Sequence, residues 1–316
     1  MKKIMSMMVA GVIMTTIPVY AAPLEVTGDA SIKYQRDTAE GEDTISGTIT
    51  SIKLMGEIEL GSNWSLYGRL GAQTTTNPLL ADYNISPEVY GENKKTVATL
   101  DQFGFNYQSD ELALKIGRQD ITIGKTALLY SRPDSNIGKK AFVDGISFAQ
   151  ENESFELSGV IAREDNSDNE SKNKIYAMRA GYSPSEDFSY GVTLGRYQGD
   201  ASTNHWAADV TYTYGKSSLT AEFAKSNSDS DNKAYAIALN YEFDDKNDIS
   251  ITGFRVEEFA SMGQQSDFDF DNRGIHYSLT HKLNDNANVN LVYKDQKTIS
   301  EDMKNKSFEA TLNYAF

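Results

Sequence analysis

The chain contains no cysteine, three histidines, two tryptophans and only six prolines in 316 residues. The first absence excludes disulfide scaffolds, thiol catalysis and thiolate metal sites together, and it suits an exported protein that folds without oxidation. Positive charge is also scarce. Lys and Arg number 30 against 45 Asp and Glu, a net −15, which disfavours nucleic acid as a partner. No stretch after Val19 is long and apolar enough for a membrane-spanning helix. Motifs of catalysis are missing as well: no Gly-x-Ser-x-Gly elbow, no His-Glu-x-x-His, no phosphate-binding glycine loop and no metal-spaced histidines. The residues therefore predict no catalytic site, no metal and no cofactor.

What is present is alternation. In Lys306–Phe316, Phe308, Ala310, Leu312, Tyr314 and Phe316 fall on one face of a strand, while Ser307, Glu309, Thr311 and Asn313 fall on the other. Period-2 patterning of this kind sets one face against something apolar and the other against water. A two-faced strand ending on an aromatic residue fits the closing strand of an outer-membrane β-barrel, and this segment (306–316) has the form of that class's signal to the barrel-assembly machinery. The other end agrees. Met1-Lys2-Lys3 is a short positive region, Ile4–Val19 is mostly apolar, and Val19-Tyr20-Ala21 offers a cleavage site. Residues 1–21 are read as a secretory signal peptide and residues 22–316 as the mature barrel. The negative mean hydropathy, −0.49, does not count against a membrane location, because alternating strands hide their lipid-facing half from the average.

Alternating segments of about ten residues recur down the chain and predict an all-β, transmembrane, antiparallel up-and-down barrel of about sixteen strands. They run from 24–36 to 306–316 and include 96–108, 112–123, 139–150 and 249–259. The pattern slips in the second, fourth and thirteenth, where a bulge is required. Connections sort by parity. Short turns such as Gly61-Ser62-Asn63 and Gly215-Lys216 follow even strands, whereas longer ones, such as 77–95, 124–138 and 260–271, follow odd strands. With both termini in the periplasm, short turns lie inside and long loops outside, and the protein belongs in the cell outer membrane. Tyr212, Tyr214, Tyr241, Phe243, Tyr314 and Phe316 lie near strand ends beside short turns, where rings are expected to form a girdle against the membrane lipid. Acidic runs, Asp267–Asp271 among them, read as solvated loops.

Parity also turns Lys53, Arg69, Lys115 and Arg179 toward the lumen, with Asp209, Glu222, Glu242, Glu309 and His276. The tract Leu112–Phe148 carries Lys115-Ile116-Gly117-Arg118-Gln119 before a long connection and Val143-Asp144-Gly145-Ile146 after it. Here the chain resembles the trimeric general porins of Gram-negative outer membranes. The resemblance implies that the third outer loop, near 124–138, folds into the pore as a constriction, and that the protein is a homotrimer passing small hydrophilic solutes and ions passively. Arg132 and Asp134 on that loop are candidate constriction residues. Arg118 and Asp144 join them as its flanks, Arg118 on condition that Gly117 sits in a bulge. Gly47, Gly56, Gly68 and Ala72 thin the early strands and are compatible with close contact to a neighbouring copy. A substrate-specific channel and a non-conducting structural or adhesive barrel remain alternatives. Acidic outer loops compete with the basic constriction tract, and the balance predicts a weak preference for cations.

Overall fold

A computed structural model of the chain describes residues 23–80, 95–164 and 173–316. The predicted signal peptide lies outside the described residues. Sixteen strands close into an antiparallel barrel: β1 (Leu24–Ala39), β2 (Ile45–Gly61), β3 (Trp64–Thr75), β4 (Thr96–Gln108), β5 (Leu112–Gln119), β8 (Val143–Glu151), β9 (Phe155–Glu164), β10 (Lys174–Ser185), β11 (Phe188–Gln198), β12 (Ser202–Tyr214), β13 (Ser217–Ser226), β14 (Lys233–Asp244), β15 (Asn247–Val256), β16 (Asn272–Asn284), β17 (Ala287–Thr298) and β18 (Lys304–Ala315). Two further strands, β6 (Ile121–Ile123) and β7 (Tyr130–Arg132), pair with each other as a hairpin apart from the wall. Closure leaves no open sheet edge, which is the condition for strands to cross lipid with their main-chain groups satisfied.

The last strand closes on the first. Ile32 stands opposite Leu312 and Lys33 opposite Thr311, and Gly28 exchanges both backbone bonds with Phe316, at 2.8 and 2.9 Å. Alternation then assigns faces. Ile32, Tyr34, Leu312 and Tyr314 are exposed on the outer surface, while Lys33, Gln35, Glu309 and Thr311 line the inside. The outer belt is apolar around much of the circumference, with Leu194, Trp206, Ile237 and Leu239 all exposed. Tyr212, Tyr214, Tyr241, Phe243, Tyr314 and Phe316 are exposed too, and each stands next to a short turn or the chain end.

Three differences from the expected strands matter for the interior. The wall strand β5 stops at Gln119 rather than continuing to residue 123, and β8 starts at Val143 rather than 139. The loop between them is therefore longer, spanning residues 120–142. Ile121 and Ile123 alternate as wall residues would, yet they belong to the inner hairpin. Likewise β15 ends at Val256, and residues 257–271 leave the wall early. Of the expected bulges, one falls inside the wall, in the fourth strand: Arg69 pairs with Gln102 and Leu70 with Leu100, leaving Asp101 as the extra residue. Around β2 and β15 the register breaks lie only beside the turns.

Candidate functional site

The third outer loop, residues 120–142, folds into the barrel and spans it. Its β6–β7 hairpin reaches β13, where the Glu222 carboxylate accepts bonds from the Lys125 and Thr126 backbone N–H groups at 3.1 and 2.7 Å and from the Thr126 hydroxyl at 2.6 Å. On its way back the loop crosses to β2–β4. There Asp134 meets Lys53 at 3.2 Å, Arg69 at 2.7 Å and the Gln102 amide at 3.0 Å.

Arg69 organises this landing. Its Nε and Nη2 grip both oxygens of Asp101 at 2.8 and 3.0 Å. Its Nη1 binds the Asp134 carboxylate and carbonyl, each at 2.7 Å, and Nη2 also reaches the Asn136 carbonyl at 2.8 Å. All five guanidinium donors are thereby used, and the group stacks on Phe142 with 4.7 Å to the ring centre. Arg69 is 1% exposed and Asp101 0%. Parity alone puts either Asp101 or Gln102 outside, and the bulge brings both in. Asp134 responds to this company. Burial works to raise its carboxyl pKa, but the charges of Arg69 and Lys53 outweigh it and hold the group below its ordinary 3.8.

A second anchor forms at β9. Glu164 is buried and accepts from the Tyr130 hydroxyl at 2.7 Å, from Tyr197 at 2.8 Å, from Asn173 at 2.9 Å and from Arg132 at 3.3 Å. Arg132, expected in the constriction lining, is instead buried against Glu164 and Tyr130, because loop charges that enter a barrel need compensating partners on its wall. Lys53, Lys115 and Arg179 do face inward. Lys115 pairs with Asp120 at 2.8 Å, and Arg179 lies between Asp209 and Glu156 at 2.8 and 2.7 Å.

Arg118 and Asp144 are not lumen residues. The register Lys115–Ser147, Ile116–Ile146, Gly117–Gly145, Arg118–Asp144 runs unbroken, so no bulge reverses Arg118. It stays on the outer face with Ile116 and Phe103, bonded to Asp144 at 2.8 and 3.0 Å and lying 5.6 Å from the Phe103 ring centre. Gly117 is still conformationally special, with φ +135, and a Cβ there would meet the Phe103 carbonyl at 2.3 Å. It allows β4 and β5 to approach closely without shifting register.

The seventh outer loop, residues 257–271, also turns inward. Met262 is buried against Gly195 of β11, and Phe268 stacks on Phe254 of β15 at 4.8 Å. With Ile121, Ile123, Leu128, Leu129 and Tyr130 of the third loop these residues make an apolar cluster inside the barrel. It rests on wall positions that are small, Ala207, Ala224, Ala234 and Ala236, all 0% exposed. An alternating strand with alanine on its wet face was the available signal for this. Polar lumen is left on the other side, as a cavity of about 830 Å³ lined by β1, β2 and β16–β18, with Pro133, Ser135 and Asn136 of the third loop.

The histidines serve packing and hydrogen bonding. His205 Nδ1 lies 3.2 Å from the Ala260 carbonyl, His276 Nε2 lies 3.1 Å from the Gln296 side chain, and His281 meets Asn247 at 2.7 Å. Among the described residues no group of His, Cys, Asp and Glu is placed to hold a metal ion.

A sixteen-strand barrel with apolar outer belt, polar interior and an inserted loop is the architecture of a membrane diffusion channel. The model of the Gram-negative porin family matches residues 9–299, and the chain belongs to that family. Solved structures of the same fold include two mutant forms of the Rhodopseudomonas blastica porin. Each is 11% identical and covers 92% of this chain and 100% of the other, with TM-scores of 0.60 and 0.61. Another, described under asymmetric conductivity of engineered proteins, is 12% identical, covers 93% of this chain and 100% of that one, and gives a TM-score of 0.62. At these identities the likeness is one of fold. No curated protein matches. The protein is an outer-membrane porin, a multi-pass β-barrel for passive diffusion.

Proposed function

We propose a non-catalytic general pore with no cofactor, made from a mature chain beginning near residue 22, whose open route runs along β1, β2 and β16–β18 beside the inserted third loop. The observation that carries this reading is the polar cavity of about 830 Å³ on that side. Its lining holds seven carboxylates (Asp37, Glu40, Glu42, Asp43, Asp267, Asp269 and Glu309) against three lysines (Lys33, Lys294 and Lys306). That surplus supports a weak preference for cations, and three members of the basic tract that opposed it are engaged elsewhere. Arg132 is bound to Glu164, Lys115 to Asp120, and Arg118 lies outside. Fixed charge beside the narrow route weighs more than charge a Debye length away, about 8 Å at physiological salt.

Single-channel recording in a planar bilayer tests the proposal. Discrete current steps that scale with salt are expected, with reversal potentials on the cation side. Saturation by one solute would favour a substrate-specific channel instead, and silence a structural barrel.

A homotrimer is part of the same proposal. Gly56, Gly68 and Ala72 lie on the outer-face side of β2 and β3, where low relief supports close approach of a second wall. Gly47 does not contribute, since Thr76 and Leu80 pack over it. Mass measurement in mild detergent is expected to give three chains, and single chains alone would remove the claim. The aromatic residues at the strand ends are assigned to the lipid girdle, and residues 306–316 to the barrel-assembly machinery.

A further inference from the structure

We propose that residues 257–271 are a second, fixed constriction element, and that Asp267 and Asp269 on it, not the charges of the third loop, set which ions pass. The inference rests on the pore reading above and adds the residues that discriminate.

The first observation is that the seventh loop is built into the lumen rather than left above it. Three main-chain bonds tie it to the third loop: Met262 N–H to the Leu129 carbonyl at 2.8 Å, Ser131 N–H to Gln265 at 2.7 Å, and Asp267 N–H to Ala127 at 3.1 Å. Met262 is 0% exposed. Gly263 has φ +61, and a Cβ there would lie 2.4 Å from the Tyr197 ring, so the chain is pressed against the inner side of β11 at that point. Phe268 packs on Phe254 and His276, at 4.8 and 5.7 Å, and those two rings touch each other at 4.7 Å. Apolar residues packed on both sides of a main-chain seam hold a loop in one position.

The second observation concerns where charge remains. The third loop shows the cavity Pro133, Ser135 and Asn136, none of them charged. Its Arg132 is buried, and its Asp134, although exposed, is neutralised by Lys53 and Arg69 at 3.2 and 2.7 Å. The seventh loop does the opposite. Met262 and Phe268 point into the apolar cluster, and the alternate residues Asp267 and Asp269 are exposed and line the cavity. Asp269 accepts a hydrogen bond from Gln296, which orients it there. The wall of the same cavity carries Lys33 and Lys294 on either side of Glu309, at 3.6 and 3.2 Å. A solute on the open route thus passes between carboxylates on the loop and lysines on the wall. In a narrow aqueous passage, fixed carboxylates raise the local concentration of cations.

The test compares reversal potentials across a potassium chloride gradient for the unaltered chain, for Asp267→Asn with Asp269→Asn, and for a rim variant with Glu40→Gln, Glu42→Gln and Asp43→Asn. The expected result is a severalfold fall in cation-to-anion permeability for the loop variant and a smaller one for the rim variant. Because the chain has no cysteine, Asp269→Cys provides a second measurement in a channel already seen to conduct. Modification by an anionic thiosulfonate reagent should restore cation preference, and a cationic reagent should drive it toward anions. An unchanged reversal potential in a conducting loop variant, or a larger shift from the rim, overturns the inference and leaves the pore reading intact. Silence of the unaltered chain in the bilayer removes both.

Discussion

The two halves of the lumen are built from the same alternating strands yet have opposite character. Along β11–β15 many inward positions are small, among them Gly195, Ala207, Ala224, Ala234 and Ala236, and two loops pack over them into an apolar cluster with buried Leu128, Leu129 and Met262, beside His205, Asp209 and Glu222, which bond to partners of their own. Along β1, β2 and β16–β18 the inward positions are Ser31, Lys33, Gln35, Lys294, Glu309 and Thr311, and they stay wet. Neither kind of position faces lipid, so both satisfy the rule that the outside of a barrel is apolar and the inside is something else. Small inward residues leave room for a loop, whereas long polar residues need water. The side chains of the wall therefore decide where the loops lie and where the open route is left.

The largest test of this contrast is at the landing of the third loop. Arg69→Ala leaves Asp101 buried without its counter-charge, and breaking a buried pair in this way costs about 3–5 kcal/mol. On the open side Lys33→Ala removes a more accessible partner of Glu309 and is expected to cost below about 1 kcal/mol. Urea unfolding of the refolded barrel in detergent micelles measures both. Equal effects would mean that the two halves are not energetically distinct.

A smaller effect is expected from filling the space beneath the loops. Ala236→Leu inserts bulk into a closed cluster, and overpacking of this kind costs about 1–3 kcal/mol. Thr311→Leu on the open wall should stay within about 0.5 kcal/mol. If Ala236→Leu pushes the loops off the wall, single-channel conductance should change with stability. A change in neither property would show that the cluster is looser than its burial implies.

The smallest effect is the pH dependence of the loop anchor. The Asp134 pKa is held below its ordinary 3.8 by Arg69 and Lys53. Its contribution is fully present above 3.8 and is lost as pH falls through the lowered value. Open-channel current should therefore be quiet at neutral pH and become noisier well below pH 3.8, while Asp134→Asn should be noisier at neutral pH and less sensitive to acid. Identical traces for the two forms across that range would show that the charge of Asp134 does not hold the loop.

Several of these features are legible in the sequence alone. Alternation placed Lys53, Arg69, Lys115, Arg179 and Glu222 on the inner side, because adjacent strand residues must take opposite faces. The slip in the fourth strand announced the bulge at Asp101, though not that the bulge would bring Asp101 and Gln102 to the same arginine. Arg118 shares the parity of Leu114 and Ile116, and the unbroken register kept it outside with Asp144. Grouping those two with the constriction followed their nearness in sequence to the third loop, and nearness along a strand says nothing about face.

Strand period, chain closure and the parity of long and short connections are local or nearly local properties, and the sequence determined them alone. A two-residue repeat fixes which side of the wall each residue takes, and closure follows because lipid leaves no other partner for edge groups. Which loops enter, how far they reach and which charges stay facing water were decided by tertiary structure. Ile121 and Ile123 carry the same alternation as a wall strand, and Asp267–Asp271 reads as an ordinary solvated run. Hydrogen bonds such as those from Thr126 to Glu222, from Arg69 to Asp134 and from Met262 to Leu129 distinguish an inserted loop from an external one. Those contacts join residues far apart in the chain, so no local period records them.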